Sequence, residues 1–91
     1  MEFEWDEDKA EQNLAKHKVA FNEAATVFAD TLSRTFRDPD HSIGEDRYII
    51  IGTSTRNRVL IVSFTDRDER IRIISARKAT LHERKAYEEE S

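Results

Sequence analysis

Residues 72–79, Arg-Ile-Ile-Ser-Ala-Arg-Lys-Ala, constrain the fold most, because an apolar strand core carries arginine at both ends. It runs straight into Thr80-Leu81-His82-Glu83, whose Thr and Glu three residues apart form a capping box that starts a helix reaching about Glu89. Strand side chains alternate between faces. Regular alternation would set Arg72, Ile74 and Ala76 on one side and Ile73, Ser75 and Arg77 on the other. Arginine cannot shed its charge, and its fork of donors fits a carboxylate or a phosphate. Such a strand has either an acidic partner inside the protein or a phosphate outside it.

The remaining pattern predicts one domain over residues 1–91. Asp6 is placed to cap a helix over about 7–17, and Asn22 to cap a second over roughly 23–29. Thr31 to Arg37 reads as a strand ended by the Asp38-Pro39-Asp40 turn. Arg47 to Thr53, Val59 to Thr65 and about 70–77 follow as strands joined by short turns, an antiparallel meander. Phe3 and Trp5 alternate with Glu2 and Glu4, a pattern that packs the N-terminus onto the sheet. The expected fold class is α+β: N-terminal helices on one side of a mainly antiparallel four-stranded sheet, then a C-terminal helix.

Charge is divided along the chain. Residues 1–46 hold 5 Lys or Arg against 12 Asp or Glu, whereas residues 47–85 hold 10 against 4. The basic half can attract phosphates although the net charge is −4. There is no cysteine, hence no disulfide framework and no thiolate metal site. His17, His41 and His82 lack metal-ligand spacing, so neither metal nor other cofactor is expected. No run approaches a membrane span, and the acidic start has no signal-peptide pattern. The expected location is the cytoplasm.

Several pieces together resemble the BrnT family, the toxin half of bacterial BrnT–BrnA toxin–antitoxin pairs, itself similar in fold to RelE/ParE toxins. They begin with Phe3-x-Trp5-Asp6-x-x-Lys9, Asn13-x-x-Lys16-His17, Val19-x-Phe21 with Ala24, and Val27-Phe28-x-Asp30. They continue with Asp40-His41-Ser42, Glu45-x-Arg47, Gly52, and Arg72 to Arg77 with Ala79, Glu83-Arg84 and Tyr87. The chain departs from the pattern at Lys18 and Asn57, where the family often has Gly. The resemblance implies a metal-independent endoribonuclease that inhibits translation. It also implies neutralisation by a BrnA-like ribbon-helix-helix antitoxin, DNA being reached only through that partner.

Metal-free RNA cleavage requires a base for the 2′-hydroxyl, cations for the transition state and an acid for the leaving oxygen. His41 and Glu45, in a polar stretch before a strand, are the candidate acid–base pair, and Arg77 at a strand end is the third candidate catalytic residue. Arg47, Arg58, Arg72 and Lys9 are candidate RNA ligands. A different class of reading is a binding module that obstructs a protein target and needs no acid–base pair.

Overall fold

The computed structural model describes residues 1–41 and 46–90. Strand β1 (Glu2–Glu4) precedes helices α1 (Glu7–His17) and α2 (Phe21–Thr26), the latter continued by a 3-10 turn, Val27–Ala29. Strand β2 (Arg34–Arg37) and a 3-10 turn, Pro39–His41, lead to β3 (Arg47–Thr53), β4 (Val59–Arg67), β5 (Arg70–Lys78) and helix α3 (Leu81–Glu90). No described helix is long and apolar enough to cross a membrane.

Local chemistry sets most boundaries. The Asp6 carboxylate accepts from the Asp8 and Lys9 amides and starts α1, and Lys18 ends it in the left-handed region at φ 60°. Helix α2 begins at Phe21, ahead of the predicted Asn22 cap, and its N-cap Ala20 offers no side-chain bond. Strand β2 is shorter than the predicted 31–37, because Asp30 accepts from the Leu32 amide through its side chain and from the Ser33 amide through its backbone. That turn holds residues 31–33 out of the ladder. The Thr80/Glu83 capping box forms as expected, with bonds of 2.8 and 3.1 Å.

The sheet has five strands in the order β1-β5-β4-β3-β2, one more than predicted. The extra strand is β1, which pairs parallel to β5 through Glu2↔Arg70, Phe3↔Ile71 and Glu4↔Arg72. A parallel pair leaves no hairpin signature in sequence. Beyond Arg72, the Asn13 side-chain amide takes over where β1 stops: Nδ2 donates to the Ala76 carbonyl at 2.8 Å, and Oδ1 accepts from the Ala76 amide at 3.1 Å. The buried amide thereby substitutes for a strand peptide and fixes α1 to the sheet edge.

A bulge in β5 overturns the regular alternation expected there. Ser63 pairs with Ser75 but Phe64 pairs with Ile73, so Ile74 is an extra residue. Ile73 and Ala76 both enter the core with Ile50, Leu60, Val62 and Phe64, against Val19, Phe21, Ala24 and Val27 from the helical side. Phe28 packs between Phe3 and Phe64, tilted to the first and edge-on to the second, with ring centroids 5.2 and 4.9 Å away. The opposite face carries the odd-numbered residues of β3 and β4. The helices do not all lie on one side: Glu83, Ala86 and Tyr87 of α3 line a groove on this second face. Tyr87 anchors α3 by donating its hydroxyl to the Asp30 carboxylate, with the Thr53 hydroxyl 3.2 Å away.

Candidate nucleic-acid interface

Register places the second face residue by residue. One cross-strand row is Arg34, Ile51, Ile61 and Arg77; the next is Phe36, Ile49, Ser63 and Ser75. A third is Arg47, Thr65 and Arg72, and Arg67 pairs with Arg70 beyond it. The bulge is what brings Arg72 and Arg77 to one face. Between β2 and α3 this face forms a groove of about 550 Å³ lined by Arg34, Phe36, Ile49, Ile51, Ile61 and Arg77 with the three α3 residues. Phe36 is 53% exposed on the edge strand. Arginine forks beside an exposed ring are the combination that holds phosphates and stacks bases.

The three β5 arginines, Arg70, Arg72 and Arg77, do have acidic partners inside the protein. Arg77 donates Nη1 and Nη2 to the two oxygens of Glu83 at 2.8 and 2.9 Å. This guanidinium holds the Glu83 carboxyl at about 2, helped by the Thr80 amide. Arg72 donates Nη1 to Glu4 at 2.8 Å, and Arg70 lies 3.4 Å from Glu2. Both Arg77 and Glu83 are part-exposed, at 42% and 33%, so water screens the pair and another anion can compete for the fork.

Arg58, expected as an RNA ligand, lies apart from these. Its Nε donates to Glu23 at 2.8 Å, its Nη2 reaches both Glu23 and the Lys18 carbonyl, and the Ser54 hydroxyl donates to the same carboxylate at 2.7 Å. Arg58 hydrogen bonding holds the Glu23 carboxyl below its usual range, although burial opposes it. This guanidinium ties the end of α1 to the β3–β4 turn and is not part of the arginine face. Lys9 is also elsewhere: exposed on α1, it borders a shallow groove with Lys16, His17 and Ile74.

Of the expected acid–base pair, Glu45 lies outside the described residues, as does the side chain of His41, whose backbone closes the Pro39–His41 turn. Arg47 begins β3 on the arginine face. His17 is half-buried at the end of α1, and His82 is exposed in the first turn of α3. Among the described residues no three His, Cys, Asp or Glu side chains gather as metal ligands. Sequence reasoning missed Arg34 and Phe36, although their spacing of two in a strand put them on one face. It also missed the contact of Tyr87 with Asp30. Burial, and then donation to Asp30, push the Tyr87 phenol up, while Asp30 is held down against burial by Tyr87 and the Thr53 and Leu32 amides.

A family described as the ribonuclease toxin, BrnT, of type II toxin–antitoxin systems matches residues 5–83. The crystal structure of the Brucella abortus ribonuclease toxin BrnT is similar to this chain at a TM-score of 0.67 and 25% sequence identity. The match covers 88% of this chain and 97% of that one. Comparison with curated proteins finds no match.

Proposed function

The chain belongs to the BrnT family of ribonuclease toxins of type II toxin–antitoxin systems, and from that premise we propose that it is a metal-independent endoribonuclease whose substrate lies on the arginine face. The observation that carries this reading is that register sets Arg34, Arg47, Arg72 and Arg77 on the same face of the sheet as Phe36. The family description favours this over a binding module that merely obstructs a target.

In the reaction, a base removes the 2′-hydroxyl proton and the 2′-oxygen attacks the adjacent phosphorus. The bond to the 5′-oxygen breaks, an acid protonates that oxygen, and the products are a 2′,3′-cyclic phosphate and a 5′-hydroxyl. His41 and Glu45 are the acid–base pair in this reading, since both precede Arg47 in one polar segment. Arg77 and Arg47 offset the charge that grows on the phosphoryl oxygens. For Arg77 that means exchanging the Glu83 carboxylate for a phosphate, a trade between two ligands of similar geometry. The toxin acts on RNA in the cytoplasm until a BrnA-like ribbon-helix-helix antitoxin covers it, and DNA is contacted only through that partner. The sheet with its flanking helices is read as a RelE/ParE-like scaffold.

The test is cleavage of RNA by antitoxin-free protein in EDTA, with His41→Ala and Arg77→Ala alongside. The expected result is chelator-resistant cleavage leaving cyclic phosphate ends, reduced at least 100-fold in both variants. Cleavage abolished by EDTA and restored by a divalent ion would overturn the metal-independent mechanism.

A further inference from the structure

Thr65 lies at 0% exposure toward the C-terminal end of β4, and its hydroxyl is the one buried side-chain polar atom among the described residues with no hydrogen-bond partner. Leaving a buried hydroxyl unpaired is unfavourable, and valine would fill the same volume without that penalty. No described residue supplies that partner, which leaves the hydroxyl available to a ligand.

The surroundings specify its chemistry. Thr65 pairs with Arg47 on one side and Arg72 on the other, on the face that already carries Arg77. Residues opposed in an antiparallel ladder lie about 4.5–5.5 Å apart, so a single small group can touch all three. The next row adds the hydroxyls of Ser63 and Ser75, both half-buried. Glu4 accepts from Arg72 Nη1 at 2.8 Å and lies 4.0 Å from Arg70, which divides its charge between two cations. Two guanidinium forks around a hydroxyl suit a phosphate, and long arginine stems can cover a neighbour and swing away from it.

We propose that Arg47, Thr65 and Arg72 form a second phosphate subsite, which holds a phosphodiester of the RNA strand away from the one at Arg77. This rests on the arginine face being the RNA surface. Ile61 and Thr65 stand four residues apart on β4, about 13 Å along the strand. That distance separates two different phosphates of one chain.

The test is anisotropy titration of a short, fully 2′-O-methylated RNA, which cannot be cleaved, against the full chain and its Thr65→Val, Thr65→Ser and Arg72→Gln variants at several salt concentrations. Thr65→Val is expected to melt no lower than the parent yet to bind about tenfold more weakly, one hydrogen bond to a charged group. Thr65→Ser should restore binding, and Arg72→Gln should lower the salt slope by about 0.7, one phosphate contact on a single strand. If Thr65→Val fails to fold, the Arg72→Gln slope decides. Parental binding by Thr65→Val, or an unchanged slope in Arg72→Gln, overturns the subsite and leaves the RNA reading standing. No binding by the parent chain overturns both. Millimolar inorganic phosphate that erases the difference between parent and Thr65→Val would assign the site to free phosphate instead.

Discussion

Arg77 and Glu83 meet fork to fork, two parallel bonds joining the end of β5 to the first turn of α3. The folded-state pKa of Glu83 is depressed from 4.5 to about 2, so its contribution to stability is full above pH 4.5 and is lost as pH falls toward 2. Unscreened, such a shift would convert to about 3 kcal/mol. The partial exposure of both groups reduces this to about 1 kcal/mol.

Glu83→Gln should therefore be about 1 kcal/mol less stable than the parent at pH 7 and nearly equal to it near pH 2. Urea unfolding at the two pH values checks this. A deficit that stays constant with pH would show that the carboxylate charge is not what stabilises the α3 junction.

Arg58→Met should be the most damaging single change among the arginines. It leaves the Glu23 carboxylate, 4% exposed, without its cation, a loss of about 3 kcal/mol. Glu23 is depressed in the parent, so that stability is present above its ordinary pKa of 4.5 and disappears in acid. The gap between parent and variant should be widest at neutral pH and narrow below pH 4. A loss under 1 kcal/mol at pH 7 would contradict the clamp.

What was legible in the sequence was local. Asp6, the Thr80/Glu83 box and the span of β3 depend on neighbours a few residues away, and each stands where the pattern put it. What was illegible was distant. Strand β1 finds its partner nearly seventy positions later, and Arg58 meets a carboxylate 35 residues away across the fold. The bulge at Ile74 is the sharpest case, since one unpaired residue carries Arg77 to the face of Arg72, and alternation alone assigns them to opposite sides. The arginine face was therefore visible only as a list of arginines.

Lys18→Gly should stabilise the fold. The Lys18 backbone sits at φ 60°, a region costing a residue with a Cβ about 1 kcal/mol and glycine far less. The side chain returns one exposed bond, from Nζ to the Ala15 carbonyl at 3.0 Å, while the Lys18 carbonyl that holds Arg58 remains in the glycine variant. The melting temperature should rise by about 4–8 °C. A fall would mean that the Nζ bond outweighs the backbone strain.

Gly52→Ala tests whether α3 is held through the core. A methyl group at this position would meet Val27 Cγ1 at 2.9 Å, Ser33 Cβ at 3.0 Å and Asp30 Oδ2 at 3.1 Å. Valine and serine belong to the packed body, and overpacking there costs about 1–3 kcal/mol. The Asp30 oxygen is the same atom that accepts from the Thr53 amide and the Tyr87 hydroxyl, so displacing it loosens the anchor of α3. Thermal melting should show the general loss. Amide exchange should show more: protection in α3 falling further than in β4, where Leu60 and Val62 stay buried. Equal loss of protection in both elements would mean that Gly52 matters only for packing, and that Tyr87 holds α3 by some other contact.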